Sequence, residues 1–352
     1  MRRAATIAQL GAPVLLVVLA ALFGAVVSSS SQTYFVNALV MVSIVVALYI
    51  FVGNSGVVSF GHISFVALGA WTAGVLSVPA SEKPAIMPNL AGFLRHTTVG
   101  NVPSLALAAG VGAIFALAVG LALMRLSGLA AGIATFGVLE IVHNVLRYYE
   151  KIGPGLNTFS SVPETTGIRQ AAIAAVLAIC VAFAYQRSRY GRMLRATRED
   201  PAAASASGIS IYRQRLVAFV LSGAVAGFAG GIYVHLLPLN TEALYLDLTF
   251  ITLAMLVIGG SSSLWGAVVG ALAVSALDSF LAEAENGLKL FGWFTLDLPA
   301  GTRVVVEGAL MAAILIIRPS GITGGREFSL PRPRRRDRGT PAPAAPSSPD
   351  AA

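Results

Sequence analysis

The chain has 352 residues, of which 56% are hydrophobic and 11% charged, and a formal net charge of +8. A soluble domain carries about 25% charged residues, so a water-soluble body is excluded, and so is a disordered chain, which needs low hydrophobicity. The single cysteine, Cys180, excludes a disulfide framework and a cysteine-rich metal site, which leaves a polytopic membrane protein.

A spanning helix needs about 20 mainly apolar residues. In chain order such runs fall at 11–28, 34–52, 57–78, 102–124, 127–146, 168–186, 214–237, 248–260, 263–281 and 302–317. They predict an all-α body with about ten transmembrane helices, the eighth and tenth short for a full crossing. Arg2 and Arg3 precede the first run, which is longer than a signal-peptide core of about 7–15 residues and fits a retained anchor.

The basic residues sort by side. With a cytoplasmic N-terminus, the inner side holds Arg2, Arg3, Arg125, seven arginines between 187 and 215, and seven after 317. The outer side holds only Lys83, Arg95, Arg147, Lys151, Arg169, Lys289 and Arg303. An even number of spans with both termini inside satisfies the positive-inside rule. The basic excess thus reflects topology and implies no nucleic-acid partner.

Gly53 and Gly56 interrupt the second and third runs, in the stretch Asn54-Ser55-Gly56-Val57-Val58-Ser59-Phe60-Gly61-His62. Glycine weakens a helix and permits positive φ. Broken helices in transporters expose backbone to substrate, which marks Asn54, Ser55, Gly56, Ser59 and Gly61 as a candidate substrate path. Close helix packing through small residues is the alternative. His62 titrates near neutral pH if exposed, or is a packed, hydrogen-bonded histidine.

In the fifth run Glu140, His143, Asn144 and Arg147 share one helix face. An acid inside a span is costly and functional by default. Glu140 can pair with Arg147 or line the route, although this face lies toward the outer end. Asp278 in the ninth run is placed similarly.

The segment 187–215 is the most informative. Arg192, Arg195 and Arg198 recur every third residue, along one side of a helix. Glu199 follows, and then Asp200-Pro201, an N-cap followed by a proline at the first helical position. Ala202 to Ser207 continue the turn, and Gly208 fits the left-handed position that ends a helix. A short helix of Ala and Ser permits close approach by another protein. The alternative is an amphipathic connector lying on lipid.

Gly259, Gly260 and Ser261 form a second break near the other end of the chain, again either a path or a packing site. From about Arg326 the sequence is Pro, Arg, Ser and Ala, which reads as a disordered cytoplasmic tail over 326–352. Its Arg332, Arg334, Arg335, Arg336 and Arg338 would meet anionic lipid head groups, as a topology anchor or a regulatory site. The transmembrane body is then 1–325.

No G-x-x-x-x-G-K-[ST] loop and no H-E-x-x-H pair is present. His62, His96, His143 and His235 lie far apart in the sequence, and no nucleophile–base pair is visible. The chain is expected to bind no metal or cofactor and to move something rather than transform it.

Four ordered motifs carry a resemblance. Gly191-Arg192-x-x-Arg195-Ala196-x-Arg198-Glu199-Asp200-x-Ala202-Ala203, with Gly208-Ile209 behind it, resembles the coupling loop of ATP-binding-cassette importer permeases. The stretch from Gly53 to His62 with Gly69-Ala70-Trp71, the pair Ile258-Gly259-Gly260 and Leu264-Trp265-Gly266, and the ending Ile317-Arg318-Pro319-x-Gly321-Ile322 are similar to motifs of the branched-chain amino acid permease family, M-type subunit. The resemblance spans about residues 35–325. It implies an importer subunit in the bacterial cytoplasmic membrane. A second, paralogous permease, two ATP-binding subunits that use ATP and Mg, and an extracytoplasmic substrate-binding protein would complete it. Pro201–Ser207 would dock on an ATPase subunit, with the three arginines as partners for that subunit or for lipid. Many relatives carry a Thr-Gly-Gly-like stretch where this chain has Lys151-Ile152-Gly153-Pro154-Gly155-Leu156-Asn157. That departure leaves the cargo open between branched-chain amino acids and urea, short amides or sugars. An ion-coupled transporter would need carboxylates at the membrane midplane, and only Glu140 and Asp278 are offered, both off-centre.

Overall fold

The computed structural model describes residues 2–285, 288–290, 294–296, 298–299, 301–318 and 320–328. Beyond Phe328 the expected tail lies outside the described residues. The helices are α1 (Arg2–Val26), α2 (Ser29–Ser55), α3 (His62–Ser77), α4 (Lys83–Ile86), α5 (Gly92–Arg95), α6 (Asn101–Leu123) and α7 (Gly128–Tyr148). They continue as α8 (Ile168–Arg187), α9 (Arg189–Glu199), α10 (Pro201–Ala206), α11 (Ile211–Val234), α12 (Leu246–Gly259), α13 (Leu264–Glu285) and α14 (Thr302–Ile317). One short antiparallel strand pair, β1 (Leu288–Leu290) with β2 (Phe294–Leu296), lies between α13 and α14 and, among the described residues, departs from the expected all-helical chain.

Each apolar run falls on a helix. In hydrocarbon every backbone N–H and C=O must be satisfied within the segment, so an apolar run resolves as helix. Among the described residues, eight stretches are long and apolar enough to cross a membrane, namely the helices from Thr6, Ser31, Asn101, Gly128, Ile168, Ile211, Glu242 and Leu264. α3 and α14, at 16 residues each, are shorter. The chain is a multi-pass membrane protein.

α2 and α11 form the centre. α11 packs on α6, α3 and α2, while α2 packs on α8, α13 and α11. Small residues let the helices cross closely: a Cβ on Gly69 of α3 would sit 2.0 Å from the Gly227 carbonyl oxygen of α11, and one on Gly112 of α6 would sit 2.3 Å from the Gly223 carbonyl oxygen. Beside it Phe51, Phe65 and Phe219 are buried around the His62 ring, with centroids 5.0–5.6 Å apart. His62 Nδ1 lies 2.8 Å from Ser59 Oγ, so this histidine is the packed, hydrogen-bonded one. α1 lies outermost against α8, and Leu15, Leu19, Leu22 and Phe23 are exposed on it.

The two ends of the bundle differ. At one end sit α9 and α10. The start of α1 is there too, because Arg187 donates to Thr6 Oγ1 at 2.8 and 2.9 Å. At the opposite end the connection after α3 folds over Lys83, which is fully buried. Lys83 Nζ donates to the carbonyls of Leu94 (2.8 Å) and Thr97 (2.5 Å). Burial holds its pKa below the usual lysine value.

Candidate functional site

The loop between α8 and α11 folds as two capped helices. Ser188 Oγ accepts from the Gly191 N–H at 3.2 Å and starts α9. Gly191 is required there, since a Cβ would fall 2.3 Å from the Tyr185 carbonyl oxygen. Asp200 Oδ1 accepts from the N–H groups of Ala202 and Ala203, both at 2.9 Å, and starts α10 with Pro201 in its first turn. Gly208 takes φ +78° and ends it. Pro201, Ala202, Ala203, Ser205 and Ala206 are exposed, and only Ala204 of this helix is buried. The loop therefore presents a small, flat, capped helix to the outside of the bundle.

Behind that helix the arginines divide. Arg192 is exposed. Arg195 turns inward, and its Nη2 donates to the Gln186 carbonyl at 2.5 Å. Gln186 Oε1 in turn accepts from Tyr49 Oη at 2.7 Å. Arg198 Nη1 donates to the Gly53 carbonyl at 2.7 Å, while its Nη2 meets Glu199 Oε1 at 2.9 Å. The Arg198 stem lies over Gly56, whose φ of +70° closes α2; a Cβ at Gly56 would sit 2.7 Å from Arg198 Cγ. Two arginines thus fasten α9, and α10 behind it, to the ends of α2 and α8.

The first glycine break lies directly at this seam. Asn54, Ser55 and Ser59 are buried. Asn54 Nδ2 donates to the Ile50 carbonyl at 3.1 Å, Ser55 Oγ accepts from the Val57 N–H at 3.1 Å, and the Gly61 carbonyl accepts from the Ser64 N–H at 3.1 Å. Asn54 Oδ1 is buried without a hydrogen-bond partner among the described residues; the other polar groups of this stretch bond locally, and none of these residues lines the cavity between α2, α12, α13 and α14 or the smaller one beside Gln32 and Gln170.

The second break meets the first: a Cβ on Gly53 would sit 2.7 Å from the Ser261 carbonyl oxygen. Over Gly259 and Gly260 the closing segment folds back. Ile322 N donates to the Ile258 carbonyl at 2.8 Å, and Thr323 Oγ1 donates to the Gly259 carbonyl at 2.7 Å. The Glu327 carboxylate accepts from the N–H groups of Leu264 (2.9 Å) and Trp265 (3.3 Å), the first turn of α13. An acid at a helix N-terminus satisfies free donors and complements the dipole. Three motifs far apart in the sequence therefore converge at the α9–α10 end. Glu327 was not foreseen as a partner, and the packed segment runs three residues past the body boundary expected at 325.

The polar face of α7 lies at the opposite end. Glu140 does not pair with Arg147. Its carboxylate accepts from Tyr245 Oη and, at 2.7 Å, from Asn144 Nδ2. Arg147 Nη1 instead binds Glu242 Oε1 at 2.5 Å. His143 is buried and stacks on the Tyr245 ring at 3.8 Å. This cluster bolts α7 to the turn before α12. Asp278, for its part, pairs with Arg303 of α14. Tyr245, Glu242 and Arg303 were not singled out in the sequence, because only long-range packing supplies them.

The family model described as "Branched-chain amino acid transport system / permease component" matches residues 30–316. The chain belongs to this family. It is 25% identical over 342 residues to the high-affinity branched-chain amino acid transport system permease protein LivM of Salmonella typhimurium, covering 87% of this chain and 73% of that protein. The probable branched-chain amino acid transport permease protein LivH of Methanocaldococcus jannaschii is 34% identical over 146 residues, 39% of this chain and 42% of its own length. The xylose transport system permease protein XylH of Haemophilus influenzae is 29% identical over 145 residues, 40% of this chain and 36% of its own. No solved structure matches. The chain is thus a permease component of an ATP-binding-cassette transport system.

Proposed function

We propose that this chain forms the transmembrane pathway of an ATP-driven importer for branched-chain or related hydrophobic amino acids, and that α10 docks on an ATP-binding subunit. The observation that carries the docking reading is the exposed, Asp200-capped helix fastened by Arg198 to the end of α2. A side-chain-poor helix on a braced stalk is suited to seat in a groove and pass displacement to the spans. In this reading a paralogous permease stands beside the chain, two ATP-binding subunits carry ATP and Mg, and a binding protein delivers cargo at the opposite end. The arginine-rich α9–α10 end faces the cytoplasm of a bacterial inner membrane, because basic residues collect there. Both the start of α1 and the closing segment lie at that end, which suits ten crossings with α3 and α14 included.

Amino-acid cargo is supported by the names of the family and of the LivM and LivH relatives. A sugar cargo is the second reading, favoured by the match to a xylose permease. The test is uptake of labelled leucine, urea and ribose in cells with and without the chain, before and after ATP depletion, alongside Ala203→Arg. Leucine uptake that needs the chain and ATP, and that Ala203→Arg abolishes at normal membrane abundance, is expected. Full uptake by Ala203→Arg refutes docking through α10. Ribose uptake in place of leucine refutes the cargo.

A further inference from the structure

One distant segment closes both ends of the α12–α13 break. A helix end leaves backbone groups without intrahelical partners. At the end of α12 the Ile258 carbonyl accepts from Ile322 N at 2.8 Å, and the Gly259 carbonyl accepts from Thr323 N at 3.2 Å and Thr323 Oγ1 at 2.7 Å. At the start of α13 the N–H groups of Leu264 and Trp265 donate to the Glu327 carboxylate. Between these points Ser262 Oγ donates to the Gly325 carbonyl at 3.1 Å. The Trp265 ring meets Phe328 edge-on, with centroids 5.4 Å apart.

The fit needs glycine on both sides. Gly260 takes φ +117° and Gly321 φ +74°, and a Cβ on Gly321 would sit 2.6 Å from Gly260 Cα. The closing motif Arg318-Pro319-x-Gly321-Ile322 thereby acquires a role. Gly321 N donates to the Arg318 carbonyl at 2.8 Å, and the chain turns from the end of α14 onto the break.

This segment is continuous with the seam under α9. The Ser261 carbonyl packs against Gly53, whose own carbonyl receives Arg198 Nη1. The Glu327 carboxylate also interacts with the Tyr49 hydroxyl of α2. Tyr49 is 1% exposed and donates to Gln186 Oε1 at 2.7 Å, and the Gln186 carbonyl holds Arg195. A helix cap needs only a local acceptor for the free N–H groups. Here the acceptor comes from 63 residues away and touches α2 as well, so it sets the start of α13 relative to α2.

We propose that residues 320–328 form a second coupling strap, with Glu327 as its positioning residue. Displacement of α9 reaches α8 and α2 through Arg195, Gln186 and Tyr49, and Glu327 passes it to the start of α13. The Tyr49 hydroxyl has one proton to donate, so a shift of Gln186 changes what Tyr49 offers Glu327. The strap holds the end of α12 to the start of α13, so both helices move with α2. Glu327 touches no cargo and acts through Tyr49 and α13. The inference rests on the ATP-driven reading and adds to it a route outside the α9–α10 loop.

The test uses the importer reconstituted in vesicles with its ATP-binding subunits, as wild type, Glu327→Gln, Glu327→Asp, Tyr49→Phe and the Glu327→Gln/Tyr49→Phe pair. The readout is ATP hydrolysed per labelled molecule moved, with leucine, urea and ribose each supplied, beside membrane abundance and thermal midpoint. Glu327→Gln keeps an acceptor for the α13 N–H groups and Tyr49→Phe keeps the buried ring. Each is expected to raise ATP consumed per molecule moved about fivefold, the scale of one hydrogen bond. Glu327→Asp is expected to recover part of the coupling because it keeps the charge. The pair should lose no more than either single variant, because the two groups act in series.

An unchanged ratio in both single variants overturns the strap, even where the thermal midpoint falls, because a merely structural cap lowers stability and leaves coupling alone. Losses that add in the pair overturn the route through Tyr49. Should Glu327→Gln fail to accumulate in the membrane, Tyr49→Phe decides alone. Wild-type uptake that ignores ATP refutes the importer reading and the strap with it. ATP-driven wild-type uptake with an unchanged ratio in the variants refutes the strap alone. Ribose moved in place of leucine refutes the amino-acid cargo, and the strap is then judged by the same ratio counted per ribose.

Discussion

Arg198 Nη1 donates to the Gly53 carbonyl at 2.7 Å, joining the last turn of α9 to the last turn of α2. The two residues are 145 positions apart. If α10 docks on an ATP-binding subunit as proposed, this bond would carry its displacement to the centrally packed α2 beside Gly53 and Gly56. Without the bond α9 is held at this seam by apolar contacts and by Arg195.

Arg198→Ala is expected to uncouple ATP hydrolysis from uptake more than it lowers either the fold or the ATPase rate. A hydrogen bond to a charged group contributes about 1.5–3 kcal/mol, equivalent to a change of about tenfold or more in coupling. Arg198→Lys should recover only part, since one ammonium cannot reach both Gly53 and Glu199 with a planar fork. The readout is ATP consumed per leucine moved in reconstituted vesicles. An unchanged ratio in Arg198→Ala would mean that displacement travels by another route.

Asp200 supplies two bonds to the start of α10, and helix caps contribute about 1 kcal/mol. Asp200→Ala should therefore fray this six-residue helix and reduce uptake several-fold, whereas Asp200→Ser, which caps similarly, should keep most of it. Equal uptake by the Ala and Ser variants would show that α10 need not be preformed.

The α9–α10 loop was legible in the sequence because its determinants are local. Asp200-Pro201 and Gly208 specify a start and a stop within a few residues, and the apolar runs specify helices because lipid leaves the backbone no other choice. Partner choice was not legible. The spacing of Glu140 and Arg147 suggests a pair along one helix, yet Tyr245 and Glu242 take those groups because the turn before α12 packs against α7. The spacing of Arg192, Arg195 and Arg198 suggests a shared face, but not that two of them reach inward to the carbonyls of Gln186 and Gly53. Glu327 looks like the first acid of a polar tail until Leu264 and Trp265 are seen to need an acceptor.

The α7 cluster gives a stability prediction. Tyr245→Phe keeps the ring stacked on His143 and removes one donor from Glu140, leaving Asn144 to hold it. At this half-buried position the loss is expected to be about 1 kcal/mol, seen as a few degrees lower midpoint for thermal inactivation of the reconstituted importer. Glu140→Gln in the Tyr245→Phe background should then cost little more, since the bond is already gone. Additive losses would show that Tyr245 and Glu140 act separately.

Lys83 provides a pH signature at the opposite end. Its folded pKa lies below the ordinary value of 10.5 because burial penalises the ammonium. Above the folded pKa but below 10.5, the unfolded chain holds this proton more tightly than the folded one. Stability from this group therefore rises with pH through that window and is lost again as pH falls through the folded pKa. Lys83→Met removes the titration and strands the Leu94 and Thr97 carbonyls, so it should be less stable at every pH. The gap in thermal midpoint between wild type and Lys83→Met should widen as pH rises from 7 toward 10.5. A gap that stays constant or narrows would show that the two carbonyls, and not solvent, set the proton affinity of this lysine.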